Sequence, residues 1–163
     1  MNLVVATKEH LPIIHQLSHK IWPEAYKDVI TEGQIDYMLD MMYSLESLEA
    51  QLQSHKIFIL AEDDNEFVGF ASYELNFDGF QRTKIHKLYV LPQMQGKGVG
   101  KQLVDYIAQI ASKNKNEFLQ LAVNKNNKAK DFYVKIGFQI VHEAVFDIGN
   151  GYVMDDYIME KKL

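Results

Sequence analysis

The chain has 163 residues, 47% hydrophobic and 24% charged, which suits one globular domain over residues 1–163 and excludes a disordered or low-complexity segment. It contains no cysteine, which excludes a disulfide framework, a thiolate zinc site and catalysis through a thiol nucleophile. Its net charge of −5 argues against nucleic acid as a partner, and no apolar run is long enough for a signal-peptide core or a bilayer span, so a soluble cytoplasmic protein without a membrane partner is expected.

The charge is unevenly spread. Residues 1–81 hold four Lys or Arg against fourteen Asp or Glu, whereas residues 82–135 hold eleven against three. Residues 136–163 return to two against five. A basic stretch within an acidic protein suits a small polyanion, and the acidic flank attracts a cation; an uneven solvated surface is the plainer reading.

Residues 3–6 read as a short strand. Thr7 is placed as the N-cap of a first helix, with Leu11, Ile14, Leu17 and Ile21 at helical spacing and an end near Trp22 and Pro23. Thr31 opens a capping-box pattern ahead of the stripe Ile35, Met38, Leu39 and Met42, and Ser44 or Ser47 caps a short helix through Leu48 and Leu52. From Lys56 the period changes. Residues 57–61 form a strand, Asp63, Asp64 and Asn65 a hairpin turn, and residues 67–75 the partner strand. A loop leads to a strand over residues 84–91, which Pro92 ends. Residues 98–112 form an amphipathic helix, 118–123 a strand, 128–136 a helix and 138–148 a strand. The turn Gly149-Asn150-Gly151 sends residues 152–159 back as the last strand. With neither repeat nor linker, the expected class is α/β (α+β), a mixed sheet in a single domain.

The segment richest in chemistry is Leu88-Tyr89-Val90-Leu91-Pro92-Gln93-Met94-Gln95-Gly96-Lys97-Gly98-Val99-Gly100-Lys101. An apolar strand runs into a glycine-rich turn that opens directly into a helix. Glycines at alternate positions let a backbone approach a ligand, and the unpaired N–H groups of a first helical turn favour phosphate oxygens. Lys97 and Lys101 add formal charge. The nucleotide-triphosphate motif does not fit: Lys97, Gly98 and Val99 are one residue too few between Gly96 and Gly100-Lys101, and Gln102 stands where the magnesium-binding hydroxyl belongs. The dinucleotide fingerprint fails too, because Lys101 occupies its last glycine position. No metal is expected.

Gln95-Gly96-Lys97-Gly98-Val99-Gly100 resembles the pyrophosphate loop of the GCN5-related N-acetyltransferase (GNAT) superfamily: Gln or Arg, two residues, Gly, one residue, then Gly or Ala. Asn126, Ala129, Phe132, Tyr133, Gly137 and Phe138 match a second pattern of that family residue by residue, and the order of elements agrees from Leu3 to Met159. The resemblance implies a mixed, mostly antiparallel sheet of six to seven strands flanked by about four helices, with the fourth strand splayed from the fifth. It also implies acetyl-CoA as cosubstrate, a small-molecule amine as acceptor and direct transfer without a covalent enzyme intermediate. A homodimer is a further implication. Transfer to a protein or peptide amine, and a CoA-binding sensor without catalysis, are the alternatives.

Carried over, Leu88, Tyr89 and Val90 belong to the strand that pairs with the pantetheine arm. The loop amides of Gln95, Gly96, Lys97, Gly98, Val99, Gly100 and Lys101 hold the pyrophosphate. Tyr133 is the general acid for the departing thiolate, or else a core aromatic. Asn126 caps the second-motif helix, bonds the pantetheine, or both; Lys135, ahead of Lys128 and Lys130, reaches for the 3′-phosphate. The general base is His86, expected on the same strand face as Leu88, or Glu74 acting through water. Polyamine-acetylating relatives often carry an acidic residue at the position of His86. Trp22, Tyr26, Tyr37 and Tyr43, interleaved with carboxylates, suit a cationic acceptor through face contacts, although Met and Tyr at helical spacing are commonly core. The closing Asp155-Asp156-Tyr157 and the Trp22 to Tyr26 segment faintly resemble the diamine and spermidine acetyltransferase branch.

Overall fold

In a computed structural model describing residues 1–163, apolar alternation gives paired strands. β1 (Asn2–Val5) lies antiparallel to β2 (Ile57–Asp63), and β2 to β3 (Glu66–Glu74), across a tight turn whose Asp64 and Asn65 both take positive φ. Between β1 and β2 lie α1 (Leu11–Tyr26), α2 (Glu32–Tyr43) and α3 (Leu45–Gln53). Thr31 Oγ1 accepts from the Gln34 amide at 3.2 Å, and Ser44 Oγ from the Ser47 amide at 3.1 Å, so Ser44 is the cap of α3.

α1 departs from expectation at both ends. A single 3-10 turn (Lys8–His10) precedes it, and the helix runs through Pro23 to Tyr26. Proline inside a helix costs about 3 kcal/mol. The extra turn buries Trp22 and Tyr26 to 1% and 6% exposure against Tyr89, and burial of two large aromatics offsets that cost at about 1.5–3 kcal/mol each.

The second half holds β4 (Arg82–Val90), α4 (Val99–Lys113), β5 (Phe118–Asn124), α5 (Ala129–Lys135), β6 (Gln139–Gly149) and β7 (Tyr152–Lys162). The seven strands are ordered β1-β2-β3-β4-β5-β7-β6, and β4 with β5 is the single parallel pair. Five helices flank the sheet, one more than the resemblance implied. α4 and α5 cover one face over Ile85, Leu103, Ile107, Leu121 and Tyr133; α1, α2 and α3 cover the other over Trp22, Tyr43, Phe58 and Phe70. No helix is long and apolar enough to cross a membrane.

β4 begins two residues earlier than expected because its start is clamped. Arg82, Thr83 and Lys84 pair with Phe118, Leu119 and Gln120, Thr83 Oγ1 donates to Asn116 Oδ1 at 2.7 Å, and the Glu117 amide donates to the Gln81 carbonyl at 2.7 Å. Beyond Lys84 and Gln120 the two strands no longer pair. The sheet is closed at one end of this seam and split at the other, which is the splay the resemblance implies.

Candidate active site

The split exposes main chain. The Leu91 amide donates to the Val68 carbonyl, and β3 pairs Tyr89 with Phe70 and Lys87 with Ser72. Antiparallel alternation therefore turns the main-chain groups of Tyr89 toward β3 and those of Leu88 and Val90 toward the gap left by β5. Of the three strand residues picked from sequence, Leu88 and Val90 present free backbone to the split. Tyr89 presents its side chain to the α1 face, where it stacks with Trp22 and Tyr26.

The split leads to the glycine loop. Gly96 and Gly98 adopt φ of +79° and +83°, and a Cβ placed on either meets nothing within 4 Å. The space over both is open to a ligand backbone or phosphate. Gly98 is the N-cap of α4, and the amides of residues 96–101 have no acceptor within the protein. The Gln95 amide is already used, donating to the Pro92 carbonyl at 3.2 Å. This run of free donors at the positive end of a 15-residue helix forms an anion cradle. Gly100 has a different reason: a Cβ there would sit 3.2 Å from the Phe132 ring, so this glycine lets α4 close on α5. The two sequence motifs thus touch. Lys97 and Lys101 are exposed, and Lys101 Nζ bonds Asp105 at 2.7 Å.

α5 brings in Tyr133, 8% exposed and packed on Phe132 and Phe138. Its hydroxyl has no protein partner yet keeps contact with solvent, and burial, with the nearby Tyr26 phenol, pushes it well above the usual phenol range. It stays protonated at neutral pH, as a proton donor must. The capping role expected of Asn126 falls to its neighbour: Asn127 Oδ1 accepts from the Ala129 amide at 2.9 Å, while Asn126 is exposed and its side chain has no protein partner. Lys135 lies exposed in the last turn of α5.

His86 and Glu74 turn out to be one unit. Ile85 and Leu88 both pack on the α4 side, which strict alternation forbids, and the β3 register skips His86. His86 is therefore a bulge residue. The bulge turns its ring away from the face of Leu88 and onto Glu74, with Nε2 and Oε1 3.0 Å apart. Burial pulls His86 down to about 4, outweighing the Glu74 contact, and Lys84, Lys56 and Lys87 act in the same direction as burial. The imidazole is neutral at physiological pH and Nε2–H donates to the carboxylate. Lys87, 8% exposed between the Tyr43 and Phe58 rings, has no carboxylate partner, and burial lowers it to about 8.

The four aromatics expected at the acceptor site divide. Trp22 and Tyr43 are 1% and 0% exposed within the aromatic core, and Tyr37 donates its hydroxyl to the Ile148 carbonyl at 2.7 Å, pinning the β6-β7 hairpin. Tyr26 alone reaches the split, its hydroxyl 2.9 Å from that of Tyr89, with burial raising its pKa to about 12. Across from it stands a residue that the sequence offered only within the Asp155-Asp156-Tyr157 resemblance, with no role assigned. Asp156 of β7, paired with Asn124 of β5, is 6% exposed, and its Oδ1 has no partner. Burial, with Asp155 beside it, raises its pKa to about 6, opposed by Lys84. The signal for it was the period-2 burial of Met154, Asp156 and Ile158 in the last strand.

Known proteins share this architecture. A PaiA N-acetyltransferase of Thermoplasma acidophilum, crystallised with coenzyme A, superposes over the whole of both chains with a TM-score of 0.81 at 24% identity, a likeness of fold. An uncharacterized N-acetyltransferase of Archaeoglobus fulgidus is 36% identical over 80 residues, 46% of this chain and 54% of its own. An L-methionine sulfoximine/L-methionine sulfone acetyltransferase of Pseudomonas aeruginosa is 30% identical over 91 residues, 54% of this chain and 53% of its own. The chain thus spans about half the length of these curated relatives. The family model described as an acetyltransferase (GNAT) domain matches residues 26–160, both motifs included, and the chain belongs to that family.

Proposed function

We propose that the chain transfers an acetyl group from acetyl-CoA to a primary amine of a small molecule, within a ternary complex. The observation that carries this is the run of partnerless amides over residues 96–101 at the open end of the β4/β5 split. The diphosphate of acetyl-CoA sits on those amides, and the main chain of Leu88 and Val90 pairs with the pantetheine arm along the gap. This places the thioester deep in the split, between Tyr133 on one side of the sheet and Tyr26 on the other. The amine attacks the carbonyl carbon, the C–S bond breaks, and the Tyr133 hydroxyl gives its proton to the leaving sulfur. No side-chain nucleophile is needed, in keeping with a chain that has no cysteine.

Two features support a small acceptor over a peptide. α2 is tied across the acceptor face, its Gln34 Nε2 and Tyr37 hydroxyl donating to the Val153 and Ile148 carbonyls of the β6-β7 hairpin, which favours a compact acceptor over an extended chain. The curated relative from Pseudomonas aeruginosa is named for small amino-acid acceptors. The test is a thiol-release assay with acetyl-CoA and a panel of polyamines, amino acids, aminoglycosides and peptides. Turnover with a compact primary amine is expected. Turnover confined to peptides, or coenzyme binding with no acceptor at all, would replace this reading with one of its alternatives.

A further inference from the structure

We infer that Asp156 is the acceptor-binding carboxylate: it receives the ammonium head of a primary aliphatic amine and takes its proton. This rests on the transfer reading above and deepens it. Strand alternation on β7 puts Asp156 on the same face as Met154, which belongs to the α1–α3 core, and beside Asn124 of β5, just where β4 has diverged. A side chain only 6% exposed with a partnerless carboxylate oxygen is costly to keep unless a ligand supplies the missing donor.

The groups around it leave that role vacant. Lys84 on β4 influences it but lies over the Phe77 ring at 4.6 Å; Tyr26 on α1 is bonded to Tyr89; Asp155, its strand neighbour, points the other way and pairs with Lys125 at 3.0 Å. None of them donates to Asp156. The base candidates picked from sequence are less well placed, since His86 and Glu74 occupy one another. A carboxyl titrating near neutrality, with a free oxygen beside the split, can hold an alkylammonium and accept its proton.

The proton passes from the ammonium nitrogen to Asp156 Oδ1, freeing the lone pair that attacks the thioester carbonyl. As the C–N bond forms and the C–S bond breaks, the sulfur takes the Tyr133 proton. The second proton on nitrogen restores Tyr133, and Asp156 returns its own to solvent as N-acetylamine and CoA-SH leave. The balance is one ammonium and one thioester in, one amide, one thiol and one proton out.

The test is Asp156→Asn, an isosteric change, against wild type. Calorimetric titration of CoA-loaded protein with 1,4-diaminobutane and with n-butylamine should show binding weakened at least tenfold, while CoA affinity stays within twofold. For whichever amine the panel identifies, its KM should rise at least tenfold with the acetyl-CoA KM unchanged, and the limb of the pH–rate profile near pH 6 should disappear. A structural role is separated by stability. The raised pKa means Asp156 favours the fold below the usual Asp range and loses that contribution as pH rises through about 6, so Asp156→Asn should melt higher than wild type above pH 6 and alike near pH 4. Equal amine affinity in the two proteins, amine binding to neither, or a variant that melts lower above pH 6 overturns the proposal. Failure of both proteins to bind CoA would instead sink the transfer reading, and the amine titration, repeated on the unliganded protein, would still decide Asp156.

Discussion

The glycine loop and the proposed acceptor chamber are, on this reading, two answers to the problem of recognising a charged ligand. The loop uses main chain from six consecutive residues, 96–101, with helix α4 behind it, and owes little to side chains. The proposed chamber draws side chains from three elements: Tyr26 of α1, Tyr89 of β4 and Asp156 of β7. The first recipe is local and fixes one ligand chemistry, whereas the second is assembled at long range and can change with any one element. On the reading proposed above, the difference teaches how coenzyme recognition and acceptor recognition can sit on opposite sides of one split sheet and vary separately.

Breaking the loop should have the largest effect. Gly98→Trp places bulk where nothing lies within 4 Å and forces a side chain into φ of +83°, so CoA affinity should fall more than 100-fold in calorimetry while amine binding survives. Next comes the link between the sides. Tyr133→Phe should lower kcat about 100-fold with CoA affinity within twofold, measured by steady-state kinetics beside binding; an equal loss in both would make Tyr133 a packing residue.

Gly100→Leu sharpens the distinction between glycines. It should collide with Phe132 and cost about 1–3 kcal/mol of stability by thermal unfolding, with only a secondary loss of CoA affinity. His86→Gln tests the bulge pair through pH. The depressed imidazole contributes stability above its ordinary value that is lost as pH falls from about 6.5 toward 4, so the variant should show a flatter melting profile across that window. Lys101→Ala should do least. It removes an exposed pair with Asp105 worth about 0.3–0.5 kcal/mol and one of several charges near the phosphates, a few-fold change in CoA affinity at low salt.

What was legible in the sequence follows the same divide. The loop, the second motif and the element order could be read because their chemistry lies in short contiguous segments whose glycine and helix-start signals are local. Gly96 and Gly98 fulfil the expected backbone freedom, whereas Gly100 answers to Phe132, a contact across more than thirty positions that no local pattern encodes. His86 was assigned to the wrong face because strand alternation was carried through a bulge that only the β3 register reveals. Trp22, Tyr37 and Tyr43 looked like a cation site and proved to be core or hairpin contacts, since aromatic content alone does not say which side a helix buries. Asp156 stood out only as half of an Asp155-Asp156 pair, since two adjacent acidic residues both look solvated until strand alternation buries one of them.

The most direct measurement is the amide spectrum of nitrogen-labelled protein during addition of CoA. The six amides of residues 96–101, now without protein acceptors, should shift downfield together and become protected from exchange with solvent, ahead of any residue on the acceptor face. Saturable CoA binding that leaves those amides unmoved would contradict the loop as the seat of the diphosphate.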